Sequence, residues 1–501
     1  MLVDFRPHAK LLGKNPVDLA TSVTPVLEAL AEHGSGQAPA DLSQVLITCD
    51  WVQYAENFRD VIDVRPILVA QEGIKGSGGP LVPAGSPAYH REIAVDVRRS
   101  GRVPLKALAA ARLLADADPG VFLEDWCPGS ASLIWEFNAL YWAALELWEQ
   151  AAGRGYEQAL PGGTSDARNR EAAHDLIGEL FGLWDELAAA RCLPAELYVA
   201  ELGVGNGNQA KVFLDEFRAL DQVHGQGYYP RLRYLLCDYS QHVLDQAART
   251  VAEHASQVSS VWLDATRAQA ALGSLRGSVF LLYMSNVYDN LPTDEVAKLG
   301  GQSYQVEVRA CFPRAVAADL AASVSADPEQ LPSLVRTLLR LGPVALPGAS
   351  PDHFGSVDDA VTFWRRAWSA LRLAERYVPM AGLDRYQIVP DASGELLRPL
   401  LESGPDIRMH VSNGALASFA DSLELLHPRG KLVCHDLFVT RAQDYRTGFR
   451  GPGKYDGSVV NWLNGPLLAH VGRQRGFDVR YEPFRHRSGG NIVTMTARRC
   501  R

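Results

Sequence analysis

The chain has 501 residues, 47% hydrophobic and 21% charged, with 58 acidic against 49 basic side chains and a formal net charge of -9 at pH 7. That length exceeds one ordinary core, so two or three domains, or one domain with a large insertion, are expected of a globular chain. The acidic balance argues against a nucleic-acid phosphate footprint as the main mode of binding. The apolar run at 279–284 is too short to span a bilayer, and residues 1–6 carry no signal-peptide core. The expectation is a cytoplasmic protein with neither nucleic acid nor membrane as partner. The seven cysteines (Cys49, Cys127, Cys192, Cys237, Cys311, Cys434, Cys500) are scattered and never in C-x-x-C spacing, which points away from disulfides and from a metal site. Cys237 and Cys434 fall in expected strands, where a small buried hydrophobe is the better reading than a nucleophile.

Residues 1–130 contain strand-like pieces at 45–48 and 67–70 and a loop rich in glycine and proline at 73–87. No motif there speaks to chemistry. Residues 131–195 read as a helical lead-in. A helix at 132–148 carries Trp135, Phe137, Tyr141, Trp142, Leu145 and Trp148, and at helical spacing such rings are core more often than a pocket wall. A polar break at 162–169 then precedes a helix at 171–190, with Ser165 or Asp166 as its expected cap.

Residues 196–297 carry the central motif. An apolar strand runs into Glu201-Leu202-Gly203-Val204-Gly205-Asn206-Gly207, and a helix follows from about Gln209 with Asn208 as its expected cap. A dinucleotide fingerprint wants a third glycine where Asn208 stands. The pattern is instead E-x-G-x-G-x-G, typical of S-adenosylmethionine (SAM) sites; another nucleotide or a structural turn remains open. A second strand ends in Asp238, placed beside the turn where a carboxylate can accept both ribose hydroxyls. A third ends in Asp264, a candidate for the adenine amino group or for a helix cap. The fourth, 278–284, enters Asn286-Val287-Tyr288-Asp289-Asn290-Leu291-Pro292, which in an open α/β sheet lies at the switch point beside the ligand. A methyl acceptor would be held there, although the polar cluster could also cap a helix starting at Asp294.

Between 298 and 407 no sheet rhythm continues. Stretches 315–324, 332–341 and 357–377 read as helices, giving a mainly helical insertion able to cover a site. The rhythm resumes over 408–501 with a helix at 413–426, a turn at 427–430 and a fifth strand at 431–436 carrying His435 and Asp436. The loop 450–462 contains Gly451-Pro452-Gly453-Lys454, which fails the phosphate-loop spacing and is better read as an acceptor contact. Two closing strands, 477–482 and 491–497, form a terminal hairpin.

Together these residues resemble the MidA-type class I SAM-dependent methyltransferases, related to the arginine methyltransferase of mitochondrial complex I assembly. The resemblance rests on the glycine motif, on Asp238 and on the loop at 286–292, which shares Asn286, Asp289 and Pro292 with the family's N-E-x-x-D-A-x-P, the last two in its D-x-x-P spacing and Asn286 one residue nearer to them. It implies an α/β fold: a Rossmann-like sheet of seven strands with the last antiparallel. Val287 stands where the family has an acid, so the carboxylate that could hold a guanidinium is missing.

Methyl transfer from a sulfonium is an in-line displacement that needs a nucleophile aligned within about 3 to 3.5 Å and, optionally, a base. The expected cofactor-binding residues are Glu201, Gly203, Gly205, Gly207, Asp238, Asp264 and Asn286, with no metal. Asn286, Tyr288 and Asp289 are expected to orient the acceptor, and His435 and Asp436 are secondary candidates for the base. The expected reaction puts a methyl group on nitrogen or oxygen of a protein or peptide. A small-molecule methyltransferase, a non-catalytic SAM-binding assembly factor and a nicotinamide oxidoreductase are the alternatives.

Overall fold

The computed structural model describes all residues except 7–18, 34–43, 70–88, 115–119, 160–168, 403, 405, 447–450, 487–489 and 501. The loop 73–87, the expected caps Ser165 and Asp166, and Arg450 therefore lie outside the described residues. The chain forms two compact units. One joins Tyr141–Leu291, Ser412–Thr440 and Leu463–Arg501; the other joins Met1–Leu140, Pro292–Val411 and Arg441–Trp462. Among the described residues no helix is long and apolar enough to cross a membrane.

The first unit is built on a seven-stranded sheet: β1 (Leu197–Leu202), β2 (Leu232–Asp238), β3 (Val258–Trp262), β4 (Val279–Ser285), β5 (Leu426–Asp436), β6 (Phe477–Pro483) and β7 (Val493–Arg499). Their spatial order is β6-β7-β5-β4-β1-β2-β3. Strands β1 to β5 pair in parallel, and β7 runs antiparallel to both β5 and β6. Apolar runs suit these central strands because helices cover both faces, and six of the seven β4 residues are buried. The helices of this unit include α1 (Leu145–Ala152), α2 (Tyr156–Ala159), α3 (Arg170–Ala189), α4 (Asn208–His224), α5 (Gln241–Thr250), α6 (Asn413–Leu425) and α7 (Gly465–Gln474). The cap of α3 is Asn169, whose side chain accepts from the Ala172 N–H. Trp184 of α3 anchors the core, its ring edge-on to Tyr228 at 5.4 Å and to Phe280 at 5.7 Å. Burying one such ring contributes roughly 1.5 to 3 kcal/mol. Strand order reverses between β1 and β4, so the loops leaving their carboxyl ends flank the crevice where open α/β sheets bind ligands.

The second unit contains two larger sheets. In one, the strands Leu2–Phe5, Val45–Asp50, Arg91–Asp96 and Ile62–Pro66 lie in that order. The helices Leu19–His33 and Leu105–Leu114 supply Val26, Leu30, Leu105 and Ala109 to its core. In the other, Arg372–Pro379, Gln302–Phe312, Glu295–Leu299 and Ile407–His410 pair antiparallel. These strands correct the sequence reading of a region without sheet rhythm. The helix expected over 357–377 stops at Ala370, and its last third is a strand whose Leu373, Glu375 and Tyr377 alternate inward. Residues 302–312 also alternate, with Tyr304, Val306, Val308 and Ala310 buried; that period of two was available in the sequence. No helix begins at Asp294. Its carboxylate accepts from the Ser130 N–H and the Tyr386 hydroxyl, and Glu295 opens a strand.

Inward charges explain why periodicity failed here. Arg59, Arg65 and Arg408 and Glu92, Glu295 and Glu375 are all buried, where an apolar residue is the usual expectation. Glu375 takes Arg59 at 3.1 Å, Arg65 at 2.8 Å and Arg408 at 2.9 Å. Glu92 takes Arg65 at 2.9 Å, Thr48 at 2.7 Å and Tyr377 at 2.5 Å. Lys454 is equally internal: its ammonium donates to the carbonyls of Trp368, Ser369 and Leu371 and so closes the carboxyl end of the Val357–Ala370 helix. The lysine of the Gly-x-Gly-Lys stretch is thus a helix cap, not an acceptor contact.

Candidate functional site

After β1 the chain turns through Gly203, Gly205 and Gly207, at φ of 67°, 57° and 79°, before α4 begins at Asn208. Side chains with a Cβ resist this left-handed region. The turn is tied to β2. The N–H groups of Gly203 and Val204 donate to the Cys237 carbonyl at 2.8 and 3.2 Å, and that of Gly205 donates to the Asp238 carboxylate. Gly207, not Asn208, holds the cap position of α4, while Asn206 Oδ1 accepts from the Asn208 N–H at 3.1 Å.

The chain itself packs closely against the bend. A Cβ on Gly203 would meet a Val287 methyl at 2.4 Å, one on Gly205 the Tyr156 hydroxyl at 2.5 Å, and one on Gly207 the Ala247 backbone at 2.8 Å. The chain's own packing therefore requires all three glycines.

Asp238 lies at the expected place. Its carboxylate accepts from the backbone N–H groups of Gly205, Tyr239 and Ser240, the last at 3.0 Å, yet burial still pushes its pKa up to about 6. A carboxylate has about four acceptor positions, so three N–H groups leave one for a ligand. Asp264 follows β3, where the Leu263 N–H donates to the Asp238 carbonyl at 3.0 Å. One Asp264 oxygen accepts from both the N–H and the hydroxyl of Thr266 at 2.8 Å, the capping alternative that the sequence left open.

Glu201 is not on this rim. It is buried, accepts from the Tyr234 hydroxyl at 2.6 Å and pairs in register with Tyr283. Its expected cofactor contact is corrected to a core role that ties β1 to β2. Burial pushes its pKa up to about 8, against the opposing Tyr234 bond. A carboxyl that holds its proton more tightly folded than unfolded favours the fold at low pH. That contribution fades as pH rises from about 4.5 through about 8. Glu201→Gln is therefore expected to gain stability over wild type by a few kcal/mol, on the order of magnitude of such a shift, between pH 5 and pH 9. Urea unfolding at both pH values measures this; parallel pH profiles for the two proteins would show that Glu201 is hydrated.

The loop after β4 is held from beneath. Asn286 has φ of 52° and donates its N–H to the His435 carbonyl at 2.9 Å. Asp436, fully buried, accepts from the N–H groups of Tyr288 at 2.9 Å, Asp289 at 3.2 Å and Leu437 at 2.7 Å, and from that of Val287. It is a backbone clamp with its acceptor positions taken, which corrects its candidacy as a base. Tyr288 is also fully buried, with its hydroxyl toward Ser418 and Ser422 of α6, and so cannot orient an acceptor. His435 bonds the Thr494 hydroxyl through Nδ1 at 2.9 Å between the rings of Tyr283 and Phe484. Burial lowers its pKa to about 4, leaving a neutral, enclosed imidazole in place of the expected base. Asp289 accepts from Asn290 Nδ2 at 2.8 Å; burial first, and then the adjacent Asp436, push its pKa well above the carboxylate range.

Sequence reasoning missed two residues here. Trp142 Nε1 donates to Asn290 Oδ1 at 3.3 Å, and its ring meets Tyr156 edge-on at 5.8 Å. Trp135, Phe137, Tyr141, Leu145 and Trp148 are buried, as the core reading expects, while Trp142 is the half-buried member of the set. Tyr156 stands on the four-residue helix α2 with no pattern to single it out.

Residues 178–341 match the family model described as "Putative S-adenosyl-L-methionine-dependent methyltransferase". No curated protein matches the chain. Among solved structures, a COG1565 superfamily member from Burkholderia thailandensis bound to S-adenosyl-homocysteine is 15% identical, over 78% of this chain and 91% of its own, with a TM-score of 0.42. The CcbJ methyltransferase of Streptomyces caelestis is 12% identical over 69% and 95%, with a TM-score of 0.30. Likeness at that level carries no inference about this chain. The family match includes the glycine turn, Asp238 and the 286–292 loop, and the chain is a SAM-dependent methyltransferase whose cofactor is SAM. The residues present fit that cofactor: the turn and an acceptor carboxylate are hydrogen-bonded to each other at one strand edge.

Proposed function

We propose that this SAM-dependent methyltransferase has the class I architecture on the MidA-type pattern. It transfers a methyl group to a nitrogen or oxygen nucleophile of a cytoplasmic protein or peptide. The observation that carries this reading is the convergence of the Gly203–Gly207 turn, Asp238 and the Asp436-clamped loop on the carboxyl edge of the sheet where strand order reverses.

In this reading Asp238 accepts a ribose hydroxyl, the turn lies against the amino-acid end, and the remaining oxygen of Asp264 faces the adenine. Bound SAM supplies an electrophilic methyl group. What the chain adds is alignment: Asn286 and Asp289 hold the acceptor on a loop whose backbone cannot drift, because Asp436 takes its N–H groups. Burial and the adjacent Asp436 favour the protonated form of Asp289, in which it donates a hydrogen bond to the acceptor. Val287, packed on Gly203, brings no carboxylate to hold a guanidinium, which favours acceptors other than the arginine side chain.

A small-molecule acceptor is the second reading, favoured by the half-buried Trp142 beside Asn290 as an aromatic wall. Labelled-methyl transfer from SAM into a cell lysate, separated into protein and metabolite fractions, distinguishes the two. Label in the protein fraction is expected. Label confined to metabolites would replace the acceptor class, and no label above a heat-inactivated control would end both readings.

A further inference from the structure

One edge of the seven-stranded sheet is open. Strand β3 pairs with β2 on one side, and among the described residues no strand pairs with its other side. The ladder fixes which backbone groups face outward. The Tyr234 N–H donates to the Gln257 carbonyl at 2.8 Å and the Leu263 N–H donates to the Asp238 carbonyl at 3.0 Å, with Leu236 in register with Ser260 between them. Backbone groups at 257, 259, 261 and 263 therefore turn to β2, and those of Val258, Ser260 and Trp262 lie along the free side. Sheet edges are normally blunted by charge, proline or a bulge. The opposite edge follows that rule: β6 presents exposed Asp478, Arg480 and Glu482 and ends in Pro483. Residues 257–263 carry no charge, no proline and no glycine, and Ser259, Ser260 and Trp262 are exposed, the tryptophan at 64%.

This open edge is complementary to itself. Antiparallel pairing about a two-fold axis at Ser260 sets Val258 of each copy opposite Trp262 of the other, an aromatic ring against a β-branched side chain, which is a favoured cross-strand pair. The same register brings together only residues whose N–H and C=O already face outward, so every pair exchanges both of its hydrogen bonds. A shift of one residue would set outward groups against groups committed to β2. Trp262 Nε1 donates to the Tyr239 carbonyl at 2.5 Å, so its ring is held before a partner arrives and loses little rotamer freedom when covered. We propose that β3 is a self-association edge: two copies of this chain pair their β3 strands antiparallel about Ser260 and continue one sheet into the other. Five residues a side bury less than the roughly 1,200 Å² of a stable specific interface, so the dimer is expected to be reversible, with a dissociation constant on the order of micromolar.

Sedimentation velocity of the full-length chain over about 1 to 200 µM tests this, and the wild type is expected to pass from monomer to dimer within that range. Ser260→Lys puts two ammonium groups side by side at the axis and leaves the β2 ladder untouched, so it is expected to weaken the dimer by at least about tenfold with an unchanged thermal melt of the monomer. Ser260→Cys reads the register independently of that variant. At the axis the two Cα atoms stand about 5.5 Å apart, within disulfide range, and oxidation is expected to cross-link the dimer through residue 260. The exposed Cys192 and Cys500 are replaced by serine in that experiment. A wild type that stays monomeric at every concentration would overturn the proposal and leave the edge to a strand from another protein. A dimer that Ser260→Lys leaves intact would overturn it by placing the contact elsewhere, and a dimer that Ser260→Cys does not cross-link would overturn the two-fold register on which it rests.

Discussion

Asp238→Ala is expected to weaken SAM binding by about two to three orders of magnitude. Two contributions add. The ligand loses a charge-assisted hydrogen bond from a ribose hydroxyl, worth roughly 1.5 to 3 kcal/mol. The turn loses the carboxylate that ties the Gly205 N–H to β2, so the bend must be ordered at the expense of binding. The ionised form is the acceptor, and burial pushes the Asp238 pKa up to about 6. Wild-type affinity is therefore expected to fall as pH drops below about 6 and to level off above it. Titration of both proteins with SAM between pH 5 and pH 8 measures the two effects. Retained affinity in the variant, or a flat wild-type profile, would place the ribose elsewhere.

Glu375→Ala is expected to destabilise the unit containing the Gln302–Phe312 strand by about 3 to 5 kcal/mol, the usual cost of breaking a buried ion pair from one side. Burial disfavours the Glu375 carboxylate, but Arg408, Arg59 and Arg65 outweigh it and hold its pKa well below the ordinary range. Removing it leaves three buried guanidiniums with fewer anions than cations. Hydrogen exchange of the Gln302–Phe312 amides reads the loss where it occurs, and a change in protection below about tenfold would show that water reaches the cluster. The same network makes this unit acid-sensitive. Burial opposes ionisation of Glu92, yet Arg65, Arg6 and Arg408 lower its pKa to about 2, so its contribution is present at neutral pH and is lost as pH falls from about 4.5 towards 2.

Much of the cofactor site is legible in the amino-acid sequence, because the features that mark it are local. Apolar runs of strand length, glycines where the chain must turn left-handed, and an acid at the next strand's end each follow from neighbours in sequence. They identify β1, β2, β4, the turn and Asp238. The strand at 372–379 is harder to read, because Glu375 points inward, against Arg65 and Arg408, where periodicity expects an apolar residue.

What the sequence by itself determined is the kind of ligand, through a glycine turn spaced for SAM and a carboxylate one strand away. What only the tertiary structure decided is which polar groups remain available to act. Glu201, Tyr288, His435 and Asp436 look like site residues in one dimension, but folding commits each to a partner distant along the chain or encloses it. Tyr156, unmarked in the sequence, is carried to Gly205 and Asn206 across about 50 residues. The physical reason is that a side chain's type sets which bonds it can make, whereas burial and the groups brought against it decide which of those bonds are already made.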